Sequence, residues 1–310
     1  MERLTLIAII LVAIVVGCVL MYTAITTFTP RLVRYIAIIK LRGQIAYAPM
    51  FFDGSVINPD DVRELANRVI NDPTIRAVVV VINSPGGSAT ASEEIYRLMM
   101  KLAERKVVVV YAEDVMASGG YYIALPAHKI IASPHTIVGS VGAIATVINI
   151  NKLLEKLGVN VTIVKAGKYK DILTPFRNMT KDEYEILKNI TNDVAEVFKN
   201  RVLAHRPNVN PEVFTAKIYI ASDALRVGLI DGIGSLDDAI EEARKLANLP
   251  LGTPVIEVEK PKGLLEILLG QSLTSCKYTN PLPDKPVELL MMWIPELSIM
   301  RNNVTIIESG

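Results

Sequence analysis

The chain has 310 residues, about half of them apolar, and its 33 basic and 32 acidic side chains leave a net charge of +1. That balance excludes a nucleic-acid or polyanion partner held by bulk charge, while the apolar share suffices for a sizeable core. Two cysteines, Cys18 and Cys276, make no disulfide framework and have no metal-ligand spacing.

In chain order, residues 4–30 come first and carry no charged side chain. That is long enough for a helix to cross a bilayer. An uncleaved anchor is the preferred reading, because T-A-I is a poor version of a signal-peptide cleavage site. V-V-G-C, ending at Cys18, also resembles a lipoprotein cleavage box. Only Arg3 precedes the span, whereas Arg31, Arg34, Lys40 and Arg42 follow it. The positive-inside rule therefore favours a cytoplasmic domain, although large domains can cross despite local charge.

Y-I-A-I-I-K-L then reads as a buried strand, and Asn58-Pro59 caps a helix with Val62, Leu65 and Val69 on one face. Residues 77–83, A-V-V-V-V-I-N, predict a parallel strand covered on both faces. S-P-G-G follows, then a helix with Ile95, Leu98, Met99 and Leu102 inward. K-V-V-V-V-Y-A (106–112) is the next strand and leads into V-M-A-S-G-G-Y-Y-I-A-L (115–125). K-I-I-A and V-T-I-V-K continue the alternation, which predicts a right-handed α/β core. Thr180 and Glu183 form a capping box before a long amphipathic helix bearing Tyr184, Leu187, Ile190, Val194, Val197 and Phe198. G-L-I-D-G-I-G precedes a last helix over about 236–246. Beyond 251 come Pro-rich joints and V-E-L-L-M-M-W-I-P, read as a terminal strand, a docking arm or a membrane-contacting piece. The expected organisation is an anchor over 1–30, a catalytic domain over 31–250 and a tail over 251–310.

Ser118 and the S-P-G-G turn occupy equivalent places, each after a β-branched strand and before a helix. In an α/β sheet, the carboxyl ends of strands line the ligand crevice. The N–H of Gly119 and one allowed by the Gly86-Gly87 turn would make an oxyanion hole, worth roughly 3 kcal/mol per donor. Each motif taken singly also fits glycines that merely pack in tight turns. Of three histidines, His128 begins a strand, His205 ends the amphipathic helix where a cation suits the dipole, and His135 remains a rival base. G-K-Y-K-D offers Lys168 and Lys170 instead. A lysine base must be neutral, whereas an unperturbed lysine ionises near 10.4, so burial must lower that value by roughly 3 pH units. A Ser–Lys pair is a known variant of nucleophile and base.

The order of these motifs resembles the signal peptide peptidase A family, membrane-bound Ser–Lys proteases related in fold to Clp protease and crotonase. The resemblance runs from about 36 to 246 through I-N-S-P-G-G, A-S-G-G-Y-Y-I-A, V-G-S-V-G (138–142), G-K-Y-K-D-I-L-T-P-F-R and G-L-I-D-G-I-G-S-L-D-D-A-I. It implies an α/β fold with a repeated ββα core behind an N-terminal transmembrane helix. It implies Ser118 as nucleophile, Lys170 as general base, Gly87 and Gly119 as oxyanion donors, and Ser140 orienting the lysine. It further implies hydrolysis of signal peptides or other short hydrophobic peptides without cofactor or metal. A ring-like homo-oligomer and an extracytoplasmic catalytic domain on a single-pass anchor follow from the same resemblance. Two features depart from the family: K-I-Y-I-A-S replaces its usual Arg-Val-Tyr-Thr-Gly, and the tail after 251 has no counterpart. In that tail, V-E-L-L-M-M-W-I-P could lie in the peptide groove as a self-bound strand. Two alternatives stay open at this stage, a Ser–His enzyme using His135 and a catalytically silent peptide-binding scaffold.

Overall fold

The computed structural model describes residues 11–24, 33–48 and 55–260, and the backbone of 289–292. Its elements are helix α1 (residues 11–24), strands β1 (Tyr35–Arg42), β2 (Gln44–Ile45) and β3 (Val56–Ile57), and helix α2 (Pro59–Asn71). Next are β4 (Ile75–Ser84), β5 (Gly86–Ser88), α3 (Ala89–Arg105), β6 (Val107–Ala117), α4 (Gly119–Ala124), β7 (Lys129–Ala132), β8 (Ile137–Gly139) and β9 (Ile144–Ala145). The remainder are α5 (Asn151–Lys156), α6 (Lys181–His205), a short 3-10 helix (Pro211–Thr215), β10 (Ile218–Ile220), α7 (Ala221–Arg226), β11 (Gly232–Ile233), α8 (Leu236–Leu246), β12 (Val255–Glu257) and β13 (Leu289–Met292).

The long β-branched runs do what their composition dictates. β1, β4 and β6 lie side by side in parallel at the centre of the larger sheet, ordered β10-β8-β6-β4-β1-β12. Along β4 the side chains alternate between faces. Val78, Val80 and Ile82 join a cluster with α2 and α3, while Ala77, Val79 and Val81 join Ala239 and Ala243 of α8. The sheet is thus covered on both sides, as parallel sheets require. A smaller sheet, ordered β3-β2-β5-β13-β9, stands beyond the carboxyl ends of the main strands. Twice, a strand of the large sheet is followed by a strand of the small sheet and then a helix: β1-β2-α2, after β3, and β4-β5-α3. This is the repeated ββα core.

β6 has two successive partners on one edge. Val109–Ala112 pair with β7, and Val115–Ala117 pair with β8. Buried Thr136 sits at the fork and donates its hydroxyl to the carbonyls of Ala112, at 3.1 Å, and Glu113. The fork carries the last residues of β6 away from β7 and ends at Ser118.

Three expectations meet a different structure. V-T-I-V-K forms no strand, and Val161, Ile163 and Val164 are exposed; with no neighbouring strand to take its N–H and C=O groups, the run stays irregular. On α6 only Glu183, Phe198 and Val202 are buried, so Tyr184, Ile190 and Val197 of the apolar stripe face outward. β12 pairs in parallel with β1, so the main sheet continues past residue 250. Helix α1 is exposed over its length, and no helix among the described residues is long and apolar enough to cross a membrane. The remainder of the 4–30 span lies outside the described residues.

Candidate active site

Ser118 takes φ +53° and ψ −120°, a region that residues with a side chain rarely adopt. The surroundings fix it there. Its N–H donates to the carbonyl of Gly139 at 2.7 Å, and its own carbonyl accepts the N–H of Tyr122, closing the first turn of α4. The residue is 1% exposed overall, and its hydroxyl does not cap the helix. A sharp, strained strand-to-helix turn of this kind is how nucleophile elbows hold a serine hydroxyl clear of its own backbone.

The second glycine turn stands against the first. Ser84 ends β4 opposite Met116 of β6, and its carbonyl lies against Gly120, where an added Cβ would come within 2.5 Å of that oxygen. Gly120 therefore sets the spacing between the two turns, a task that pattern reading leaves unassigned. Gly120→Ala should push α4 off β4 and lower stability by about 3 kcal/mol, read as a fall in the melting temperature together with lost hydrolysis.

Gly86 has φ +97°, which favours glycine, and a Cβ on Gly87 would lie 2.0 Å from the carbonyl oxygen of Ile45. The direction of the Gly87 N–H follows from the pleat. Gln44 and Ala46 donate to Ser55 and Ile57 across β3, so Ile45 turns its own groups toward β5. Ile45 pairs in parallel opposite Gly87, a geometry that engages the flanking Gly86 and Ser88. The N–H and C=O of Gly87 then face the other edge of β5, the edge along which β13 lies.

Both tyrosines of S-G-G-Y-Y are anchors for this helix. Tyr121 is fully buried and donates to the carbonyl of Leu229 at 2.8 Å, while Tyr122 donates to Glu93. Glu93 also holds Arg97 and Arg201 at 2.8 and 2.9 Å, and Tyr122 stacks edge-on with Phe198 and tilts against Tyr96. Burial pushes both phenols well above their ordinary ionisation, so they stay neutral donors. The G-L-I-D-G stretch is the other half of the anchor. Asp231 accepts from Arg206 at 2.5 and 2.7 Å and from the N–H of Ile130 at 2.7 Å. Though burial opposes it, Arg206 holds this carboxyl below its usual range. Asp231→Ala would leave the 13%-exposed Arg206 unpaired. The expected loss is about 2 kcal/mol, measured by chemical denaturation.

Ser140 also has a positive φ, +55°, and follows the residue bonded to Ser118; its N–H donates to Lys217. Ser118, Ser140, the Gly119 helix start and the Gly86-Gly87 turn are therefore brought into one region. Lys170 is different. It sits in a turn closed by its N–H to Gly167, its side chain is exposed, and among the described residues no hydrogen bond or ion pair joins it to Ser118. With the next five residues it lines an open cavity of about 380 Å³. Asp171 ties this turn down through Lys165 and through Arg177 at 2.8 Å, and Arg177 reaches Glu183 at 2.6 and 2.8 Å. The predicted capping box is present, so the lysine turn is fastened to the start of α6.

Arg177, followed by the Thr180 N–H, lowers the Glu183 carboxyl from its ordinary 4.5 to about 2. A carboxyl lowered in the fold contributes stability above its unfolded value and loses it as pH falls through the folded one. Thermal melts should therefore show stability declining from about pH 4.5 toward pH 2, and Glu183→Gln should flatten that decline.

Of the histidines, His128 accepts the Val108 N–H and His135 is exposed. His205 lies 2.8 Å from the Tyr96 hydroxyl, and burial lowers its ionisation. It is thus held toward the neutral form, contrary to the expectation of a cation at the helix end.

The model of peptidase family S49 matches residues 100–250. A protein of Methanocaldococcus jannaschii named as a protease is 39% identical over 71% of this chain and 74% of its own length. The chloroplastic serine protease SPPA of Arabidopsis thaliana is 34% identical over 76% of this chain and 36% of its own. Among solved structures, the 1510-N membrane-bound stomatin-specific protease superposes with a TM-score of 0.46 at 14% identity, covering 74% of this chain and 99% of that one.

Proposed function

The chain belongs to peptidase family S49 and is a serine peptidase; on that premise we propose that it works by a Ser–Lys dyad on short hydrophobic peptides, signal peptides among them. The observation that carries the reading is the strained turn at Ser118, abutting a glycine turn whose Gly87 N–H faces away from β2, toward the edge of β5 where an extended strand pairs. A peptide bound along that edge would present a carbonyl to the N–H groups of Gly87 and Gly119. Ser118 Oγ adds to that carbonyl carbon and gives its proton to neutral Lys170. The lysine then protonates the leaving amine, and water releases the acyl group from Ser118. Ser140 follows the Gly139 that holds Ser118, and in this reading its hydroxyl orients the lysine amine.

Lys170 is exposed in the single chain, so the reading requires a cover that desolvates it. The outward apolar side chains at 161–164 and on α6 supply a surface for neighbouring subunits, in keeping with a ring-like homo-oligomer. In this reading residues 4–30 form a single-pass anchor, with the catalytic domain outside the cytoplasm. A fluorophosphonate probe tests the core of it: Ser118 should be labelled in the wild type, and an unlabelled Ser118 from pH 6 to pH 10 would favour the silent scaffold.

A further inference from the structure

Behind the site, one carboxylate gathers three helices. Glu93 lies on α3, and its side chain is 23% exposed. Its Oε1 accepts from Arg97 of the same helix at 2.8 Å and from Arg201 of α6 at 2.9 Å, which leaves Oε2 to the Tyr122 hydroxyl of α4. The Tyr122 ring is packed against Tyr96 and Phe198, with centroids 5.2 and 4.9 Å away, and the Arg201 guanidinium lies 4.8 Å over the ring of Tyr96. Though burial opposes it, the bonds from Tyr122, Arg97 and Arg201 hold the Glu93 carboxyl below its usual range, so it meets Tyr122 ionised. A hydrogen bond to an ionised acceptor is roughly twice as strong as one between neutral groups.

Each of the two helices joined by this bond carries one oxyanion donor of the reading above. α3 starts directly behind the Gly86-Gly87 turn: Ser88 is its N-cap, accepting the Ala91 N–H at 3.4 Å, and Ser92 donates to the Ser88 carbonyl at 2.8 Å. Gly87 therefore moves with α3. α4 starts at Gly119, and the Tyr122 N–H donates to the Ser118 carbonyl at 2.9 Å, so Ser118 and Gly119 move with α4. The close approach of Gly120 to Ser84 is one point of contact between the two turns, and a single point leaves α4 free to pivot. Gly120 and Tyr122 stand roughly 200° apart around the helix. The Tyr122–Glu93 bond is thus a second point on the opposite side, and it removes the pivot.

We propose that Glu93 is a positioning residue for the hydrolysis: by accepting the Tyr122 hydroxyl it fixes α3 against α4, and with them the separation between the N–H groups of Gly87 and Gly119. Donors act on an oxyanion only when they are held in place before the charge develops. A misplacement of about 1 Å is enough to cost on the order of 100-fold in rate. Glu93 touches neither substrate nor Ser118, and its whole effect passes through Tyr122 and the two helices.

The proposal rests on Ser118 as nucleophile with Gly87 and Gly119 as donors, and the experiment separates the two. Full-length wild type, Glu93→Ala, Tyr122→Phe, the double variant and Leu102→Ala are compared. The readouts are kcat and KM on a hydrophobic reporter peptide, the rate of fluorophosphonate labelling at Ser118, and the melting temperature. Leu102 is 1% exposed near the end of α3, so its truncation opens a cavity and lowers stability without touching the Tyr122 bond. Well below the melting transitions, Glu93→Ala should lose about 10- to 100-fold in kcat, with KM within about twofold of wild type and labelling slowed in step. Tyr122→Phe keeps the ring packing and loses only the donor, so it should show the same kind of loss, and the double variant should be no slower than the slower single one. Leu102→Ala should melt earlier yet keep its kcat. Glu93→Ala that retains kcat, or Leu102→Ala that loses kcat to the same extent, overturns the proposal and leaves the peptidase reading standing. So does a double variant in which the two losses multiply. If Glu93→Ala does not fold, Tyr122→Phe decides alone: an unchanged kcat overturns the proposal. A wild type that neither hydrolyses the reporter nor is labelled at Ser118 overturns both.

Discussion

Ser118→Ala is expected to reduce hydrolysis of a hydrophobic peptide by about 10⁴-fold or more while leaving the fold intact. When the nucleophile of such a site is removed, only the modest contribution of binding and oxyanion donors remains. The hydroxyl makes no cap in the structure, so its loss costs no helix hydrogen bond. The backbone adds a second, independent test. Ser118 is held at φ +53°, where glycine is at ease and alanine is not. Ser118→Gly should therefore be as inactive as Ser118→Ala but more stable, by about 1 kcal/mol. A denaturation midpoint for the glycine variant at or below that of wild type would contradict the idea that the turn stores strain. Comparable hydrolysis in Ser118→Ala would remove Ser118 from the chemistry altogether.

Lys170→Ala should be nearly as damaging, with a loss of roughly 10⁴-fold at the upper end of what a general base contributes. Lys170→Arg should fail as well, although it preserves the charge, because a guanidinium does not give up its proton at workable pH. Small primary amines in the buffer should restore part of the rate to Lys170→Ala and none to Ser118→Ala. His135→Ala provides the contrast, since its exposed ring has no described partner and hydrolysis should be retained. Activity that survives in Lys170→Ala and vanishes in His135→Ala would replace the lysine by the histidine. Because Lys170 is exposed in the isolated chain, its competence should also depend on assembly. Dilution below the point where the oligomer dissociates should lower kcat per chain, and a rate per chain independent of concentration would argue that no neighbour is needed.

The sequence by itself determined the parts of the molecule whose cause is local. The valine-rich runs became β4 and β6 because a β-branched, uncharged stretch is stable only when covered on both faces. The Asn58-Pro59 cap, the Thr180–Glu183 box and the start of α8 followed from side chains that satisfy their own nearby N–H groups. The order of the glycine, serine and lysine motifs pointed to the family for the same reason, since each motif is a short local turn.

Only the tertiary structure decided what depends on a partner distant in the chain. V-T-I-V-K has the composition of a strand and no neighbour to pair with, so it is not one. α6 has an apolar stripe that the single chain leaves mostly uncovered, and periodicity cannot say what will cover it. Gly120 matters because Ser84, far back in the sequence, presses against it, and G-L-I-D-G matters because Leu229 and Asp231 hold Tyr121 and Arg206. For the tail, the sequence showed an apolar segment that could sit in the groove. The pairing of Met291 with Gly87 sets the backbone of 289–292 against β5 in a definite register, because only backbone partners brought together by the fold can fix which residue meets which.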